Sequence, residues 1–301
     1  MTNHAAPYII TLGLSWGLNL VVSRAGIAEI ATVEYTFWRF AIATVIFAIM
    51  IALSPGRKWS RNPALWRDAA VVGVFGSALP LLGLMGSLSF QSAGLTSLLV
   101  STGPAFIVTT AHFMLPDAKL TRQSVAGVLI ALCGAGMIVI LGESGLPDLT
   151  RANPIGYLMV IGALMMDAMV AVYVRRRMQG YDPFEVTGIR LAVAMVFLLP
   201  FAVAVQATDY RTVTAVGWGA LLFSAVVSTV IAQLLFFYVT QVFGTTSLAI
   251  TIYLVPVVAI LTGVFFLGEA ITPGMIASML LIIFGVYLIN RSRIAAEKAA
   301  R

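Results

Sequence analysis

The stretch "QSAGLTSL" at residues 91–98 returns as "QVFGTTSL" at residues 241–248, with Gln, Gly, Thr, Ser and Leu in register. Earlier in the chain, four spaced residues recur 151 positions later: Arg24, Glu34, Thr36 and Arg39 as Arg175, Glu185, Thr187 and Arg190. Two sets of matches in the same order indicate that the chain contains an internal duplication.

A further match lies near the end of each copy. Pro104 stands thirteen residues before Asp117, and Pro256 stands thirteen residues before Glu269. Around these acids, "LPDA" in the first copy corresponds to "LGEA" in the second. The fold is therefore expected to consist of two similar halves.

The composition predicts that both halves lie in a membrane. Of the 301 residues, 60% are hydrophobic and only 10% are charged, whereas soluble domains carry roughly 25% charged residues. Apolar runs of about 20 residues, separated by short charged clusters, are typical of an all-α polytopic membrane protein. The predicted spans cover residues 7–27, 33–53, 68–88, 92–114, 121–141, 154–174, 184–206, 214–238, 243–267 and 272–291.

Ten spans divide evenly between the two copies, a first repeat over residues 1–150 and a second over residues 151–301. Because five is an odd number, the second repeat enters the membrane from the opposite side. Inverted repeats of this kind are the architecture of many secondary transporters, which bind substrate near the membrane midplane and alternate access between its two sides.

Positive charge predicts the orientation of the spans. One side holds thirteen of the eighteen Lys and Arg residues: Arg57, Lys58, Arg61, Arg67, Lys119, Arg122, Arg175, Arg176, Arg177, Arg291, Arg293, Lys298 and Arg301. The other side holds only Arg24, Arg151 and Arg211. Both termini are therefore expected in the cytoplasm. Since these cations lie in connectors and form no continuous face, we expect no nucleic-acid partner.

At this point the chain resembles a known family. The "WG" of the first span (Trp16 and Gly17), the Glu269–Ala270 turn and the ten-helix duplication are similar to the EamA group of the drug/metabolite transporter superfamily. The resemblance covers residues 7 to 291, with Asp117 standing where the pattern has Glu. It implies a bacterial inner-membrane exporter of aromatic and other neutral amino acids, such as Thr and Met, and of similar metabolites.

Asp167 lies within an apolar run, eight residues before Arg175 and so about 12 Å from the cytoplasmic end of its span. A carboxylate at such depth normally faces a cavity or a partner. It is expected to contact a substrate amine, to couple a proton, or both; the alternative is a protonated Asp that bonds a neighbouring helix. Apart from His112, no basic side chain is expected at comparable depth.

Other polar and aromatic residues within the spans are candidates for the substrate site, although small polar side chains also serve helix packing. Neutral groups are expected to bind a substrate carboxylate, and aromatic rings to line an apolar region. The predicted substrate-binding residues are Trp16, Asn19, Pro80, Ser101, Asp167, Gln233, Phe237 and Tyr253.

Two further sets of residues have predicted structural roles. Pro104 and Pro256 are expected to kink equivalent helices and act as hinges. The repeated spacing of Glu and Arg predicts two structural pairs that anchor helix ends: Glu34 with Arg39, and Glu185 with Arg190.

No enzyme signature, metal motif or cofactor motif is present, so no cofactor is expected. Cys133 is the only cysteine, which excludes a disulfide within one chain. An intramembrane aspartyl protease needs two facing acids, and only Asp167 is expected at depth.

Two alternatives remain, a multidrug or organic-cation exporter and a non-transporting scaffold. With both repeats in one chain, a monomer in membrane lipid is expected to form a complete pathway for its small-molecule substrate.

Overall fold

In a computed structural model of the protein, the described residues are 5–54, 59, 61–147, 153–243 and 245–299. Their regular structure is entirely helical, and ten helices are long and apolar enough to cross a membrane. These helices are α1 (Ala6–Ile27), α2 (Thr32–Leu53), α3 (Pro63–Ser87), α4 (Ala93–Met114), α5 (Arg122–Leu141), α6 (Pro154–Arg177), α7 (Pro183–Val205), α8 (Ala215–Phe243), α9 (Thr245–Leu267) and α10 (Pro273–Ala299). The predicted all-α fold with ten spans is confirmed.

Local capping fixes where six of the helices begin. Each of these helices is preceded by a short polar side chain that accepts a hydrogen bond from a backbone N–H of the first turn, which satisfies a group that the helix itself leaves unpaired. The capping residues are Asn62, Ser92, Thr121, Asn153, Asp182 and Thr214.

Three helix boundaries differ by five residues or more from those predicted. Helix α3 begins at Pro63 rather than at residue 68, because Asn62 caps it and proline is favoured in the first turn. Helix α8 continues to Phe243 rather than ending at residue 238. Helix α10 continues to Ala299 instead of ending at 291. The predicted bounds follow the apolar runs of the sequence, whereas these three helices extend beyond those runs.

The predicted kink at Pro104 is wrong in its location. Helix α4 is interrupted at Ser101 and Thr102, and Pro104 lies in the first turn of its second piece. The hydroxyl of Ser101 donates to the carbonyl of Ser97 at 2.8 Å, which competes with regular helical bonding. Pro256, by contrast, lies inside the continuous helix α9.

Two helices contain π-helical turns at related places in the two repeats. In α3 the wide turns cover Val74–Ala78, and in α8 they cover Phe223–Ile231. Such turns locally widen the helix and are frequent at functional sites. Both segments face the middle of the bundle, where the cavity described below lies.

The helices pack as two interlocked repeats. Helix α1 packs on α9 as α6 packs on α4, α2 packs on α7, and α5 packs on α10. The α5–α10 contact is close because glycines face each other. A Cβ atom added at Gly127 would lie 2.6 Å from the carbonyl oxygen of Gly285. Small residues of this kind allow membrane helices to approach closely.

One carboxylate joins the two repeats at the end of the bundle where α4 begins, which we term the outer end. Glu269 of the second repeat accepts hydrogen bonds from the backbone N–H groups of Ala93 and Gly94, at 2.7 and 3.0 Å. It also accepts one from the Arg24 guanidinium at 2.5 Å. The Glu269 side chain is only 3% exposed, so a buried charge caps α4 and is neutralised by the first repeat.

The related pair at the opposite end, termed the inner end, is exposed. There Arg175 of the second repeat pairs with Asp117 of the first at 2.5 Å. Their side chains are 50% and 66% exposed. The sequence duplication therefore places one Arg–acid pair between the repeats at each end, buried at the outer end and solvated at the inner end.

This difference generates a prediction about stability. Glu269→Gln removes a buried charge that three donors share, and we expect a loss of about 3 kcal/mol in unfolding free energy. Asp117→Asn changes the corresponding exposed pair, which contributes about 0–1 kcal/mol. Thermal unfolding of both purified variants in detergent measures the difference. Equal destabilisation by the two substitutions would show that burial of Glu269 is unimportant.

Helix packing generates a second prediction. Gly127→Leu places a side chain against the Gly285 backbone, and overpacking of this kind costs about 1–3 kcal/mol. Gly136 lies on the same helix with no atom within 4 Å of an added Cβ, so Gly136→Leu is the matched control. We expect a lower Tm for the first variant only. An unchanged Tm for Gly127→Leu would contradict the close α5–α10 contact.

Candidate functional site

A cavity of about 190 Å³ lies in the middle of the bundle between α1, α2, α3, α6, α7 and α8. Both repeats contribute to its wall. The lining residues are Trp16, Arg39, Phe40, Gly76, Ser77, Pro80, Leu81, Leu84, Asp167, Arg190, Leu191, Ser228, Thr229 and Gln233. We term this space the central cavity.

Several residues that line the central cavity occupy corresponding positions in the two repeats. Three pairs of lining residues stand 151 positions apart: Trp16 with Asp167, Arg39 with Arg190, and Ser77 with Ser228. The two serines lie in the π-helical turns of α3 and α8. The central cavity is thus built around the axis that relates the repeats, where inverted-repeat transporters place their substrates.

The pair formed by Trp16 and Asp167 is the main departure from symmetry. Trp16 contributes an aromatic surface, with its ring centroid 6.0 Å from that of Phe236. The Asp167 carboxylate lines the same cavity as the Arg190 guanidinium, and no direct ion pair joins them. The lining of the central cavity therefore includes an aromatic ring and charges of both signs.

Arg39 is held in place by its own repeat and by α8. Its Nε donates to Thr229 Oγ1 at 2.8 Å, and its Nη1 donates to Asn19 Oδ1 at 2.9 Å. The residue is 5% exposed. A buried arginine with its donors engaged in this way contributes a fixed positive charge to the central cavity.

Arg190 differs from Arg39 in its hydrogen bonds. Its Nη2 donates to Gln233 Oε1 at 2.6 Å, but its Nε is buried and has no hydrogen-bond partner among the described residues. The positions that correspond to Asn19 and Thr229 are Val170 and Ala78, which have no side-chain acceptor. Sequence divergence between the repeats therefore leaves the buried Nε of Arg190 without the acceptor that Arg39 has.

The predicted structural pairs Glu34–Arg39 and Glu185–Arg190 are wrong. Among the described residues neither is an ion pair, and Glu34 instead accepts a hydrogen bond from the hydroxyl of Tyr210 at 3.2 Å. The reason is helical geometry. Residues five apart lie about 140° apart around a helix axis, whereas side chains meet at spacings of three or four.

The expectation that Asp167 has no basic residue at its depth is also wrong. Arg39 lies seven residues after Thr32, about 10 Å into α2, and Arg190 lies equally far into α7 after Pro183. Their long side chains cover the remaining distance, so both guanidinium groups line the same cavity as the aspartate.

Five of the eight predicted substrate-binding residues lie at or beside the central cavity. Trp16, Pro80, Asp167 and Gln233 line it, and Asn19 lies behind its wall as a partner of Arg39.

The other three lie elsewhere. Ser101 donates to a carbonyl at the break in α4, Phe237 contacts Phe236 with ring centroids 5.9 Å apart, and the Tyr253 hydroxyl accepts from Asn290 at 2.8 Å.

Sequence reasoning missed three polar lining residues, Ser77, Ser228 and Thr229. A signal for the serines was present, because they occupy corresponding positions in the two repeats. Within the described parts of the chain, no group of three His, Cys, Asp or Glu side chains could hold a metal ion. The central cavity can instead bind a small molecule that carries both an anionic and a cationic group.

Comparison with known proteins agrees with this architecture. The model of the EamA-like transporter family matches residues 4–140 and again residues 154–291. An uncharacterized transporter of Archaeoglobus fulgidus is 24% identical, covering 92% of this chain and 95% of its own length. A probable terminal-alkyne amino-acid exporter of Streptantibioticus cattleyicolor is 25% identical, covering 95% and 93%.

A solved crystal structure shares the fold over 100% of both chains, with a TM-score of 0.64 and 19% sequence identity. The two family matches correspond to the two five-helix repeats and together cover most of the protein. This chain therefore belongs to the EamA-like transporter family, within the drug/metabolite transporter superfamily, and is a multi-pass membrane transporter rather than an enzyme.

Proposed function

We propose that the protein exports neutral amino acids, aromatic ones and others such as Thr and Met, together with similar small metabolites. One observation carries the proposal: Asp167 and Arg190 face the same central cavity without forming a direct ion pair. Two unlike charges held apart in a buried site complement the ammonium and carboxylate of a zwitterion, since each buried charge needs a partner.

Each charge has a distinct role in this proposal. The Asp167 carboxylate binds the substrate ammonium. The Arg190 guanidinium, which lines the central cavity, binds the substrate carboxylate. Trp16 contacts the substrate side chain, while Ser77 and Ser228 provide neutral polar contacts.

The size and charge of the central cavity favour this substrate over a multidrug or organic-cation substrate. Its volume of about 190 Å³ is below the roughly 300–1,000 Å³ typical of sites for drug-sized ligands. With Arg39 and Arg190 opposing a single aspartate, its lining has a net positive charge, which disfavours a hydrophobic cation. The relative from Streptantibioticus cattleyicolor, named as a probable amino-acid exporter, supports the same substrate class.

Transport is proposed to proceed by alternating access across a bacterial inner membrane, with both termini in the cytoplasm and the monomer as the working unit. The unequal Arg–acid pairs support this mechanism, because the Arg24–Glu269 pair joins the repeats through a buried carboxylate at the outer end while the Arg175–Asp117 pair at the inner end is solvated. The break before Pro104 is the proposed hinge in α4, and Pro256 is the proposed hinge in α9.

The test uses proteoliposomes and three forms of one substrate: phenylalanine, phenylalaninamide without the carboxylate, and N-acetylphenylalanine without the ammonium. Wild-type protein is expected to prefer phenylalanine over both analogues. Because a charged hydrogen bond contributes roughly 1.5–3 kcal/mol, each preference should be about 10- to 100-fold in kcat/KM.

The two charge variants should lose different preferences. Arg190→Gln is expected to transport phenylalanine and its amide equally, while it still rejects the N-acetyl form. Asp167→Asn is expected to show the reverse pattern, so each variant is the control for the other. Absence of saturable flux of phenylalanine, threonine and methionine by folded wild-type protein would refute the amino-acid proposal. Survival of both preferences in both variants would refute the assigned roles.

A further inference from the structure

A second cavity, which we term the inner-end cavity, has a volume of about 680 Å³, more than three times that of the central cavity. It lies between the ends of α4, α6 and α10, the start of α5 and the α4–α5 connection. None of its lining residues lines the central cavity. The substrate-binding site proposed above therefore does not include it.

The charges that line the inner-end cavity are mostly positive. Lys119, Arg175 and Arg293 are cations, and Asp117 is the single acid in its described wall. Asp117 already accepts a hydrogen bond from Arg175 Nη2 at 2.5 Å. Even without Arg293, the two cations Lys119 and Arg175 outnumber the single acid Asp117, so the cavity attracts an anion.

Hydroxyl groups line the same space. The hydroxyl of Ser292 lies 2.6 Å from that of Thr121 and 2.9 Å from that of Ser124. Thr121 also caps α5, since its Oγ1 accepts from the Ser124 backbone N–H at 3.1 Å. The positive end of a 20-residue helix dipole therefore points towards this wall, which favours an anion beside the hydroxyl groups.

The remaining wall is apolar. Ile107, Val108 and Ala111 of α4 face Val172 of α6 and Ile289 of α10 across the cavity. Ile107 is 38% exposed, so this apolar surface continues to the outside of the helix bundle. A small inorganic anion gains nothing from contact with an apolar wall. A ligand with hydrocarbon attached to an anionic group can bury that hydrocarbon there.

We propose that the inner-end cavity binds one anionic phospholipid, with its phosphate at Lys119, Arg175 and the Ser124–Ser292 hydroxyl pair and its first acyl carbons against α4. The planar guanidinium of Arg175 has several donors, so it holds Asp117 and a phosphate oxygen together. Basic pockets between membrane helices at the cytoplasmic side are suited to anionic headgroups. This inference does not depend on the identity of the transported substrate.

The experiment measures lipid binding to the full-length protein in detergent by native mass spectrometry, titrating phosphatidylglycerol against phosphatidylcholine of the same chain length. Wild-type protein is expected to bind one phosphatidylglycerol in preference to phosphatidylcholine. Lys119→Gln/Arg175→Gln should weaken that binding about 30-fold, because each interfacial cation contributes about five-fold.

The matched control removes two neighbouring cations of α6 that do not line the cavity. Arg176→Gln/Arg177→Gln changes the net charge at the inner end by the same amount and is expected to bind phosphatidylglycerol like the wild type. An equal loss in both double variants would overturn the proposal, since it would indicate attraction to surface charge in general.

Two further measurements test the apolar part of the cavity and separate a lipid from a soluble anion. Ala111→Phe fills the apolar part of the cavity without changing charge, and it should also abolish binding of phosphatidylglycerol. Retained binding in that variant would overturn the proposal. Glycerol 3-phosphate and inorganic phosphate at millimolar concentration should not displace the lipid. Displacement by either would reassign the cavity to a free phosphate compound.

Discussion

The structure depends on one buried carboxylate that two repeats share. Glu269, near the end of the second repeat, caps the first turn of α4 and neutralises Arg24, both in the first repeat. In an apolar medium these N–H groups and this guanidinium need partners, and removing the acid leaves all of them unpaired. The contact fixes the beginning of α4 against α9, and α4 in turn packs on α6, which carries Asp167 into the central cavity.

Some residues of the central cavity are the same in both repeats, and others have diverged between them. Corresponding residues of the two repeats supply its framework, in the form of two arginines, two serines and two π-helical turns. The chemistry arises where the repeats have diverged. Trp16 of the first repeat corresponds to Asp167 of the second, and the acceptors that hold Arg39 are replaced beside Arg190 by Val170 and Ala78. A duplicated scaffold has thus acquired one site with an aromatic ring and charges of both signs, which suits a substrate that is itself asymmetric.

The sequence was sufficient for the spans and the duplication, because these follow from hydrophobicity and spacing. It did not reveal which face each helix presents. Arg39 and Arg190 were paired with acids on their own helices, whereas rotation of α2 and α7 turns them into the cavity. The prediction that Phe237 and Tyr253 line the site has the same origin, because the sequence does not show which way their side chains point. The rotation of each helix about its axis depends on contacts with helices that are distant in sequence. A single amino-acid sequence does not show these contacts.

The capping of α4 by Glu269 has a consequence for how the protein is made. The acid follows its backbone partners by 176 and 175 residues, so α4 enters the membrane long before its cap has been synthesised. Until α9 is complete, the first turn of α4 has to rely on Ser92 and on water at the membrane surface. The first five helices are therefore an unfinished folding unit until residue 269 has been synthesised, and a chain that stops earlier leaves the N–H groups of Ala93 and Gly94 without this carboxylate.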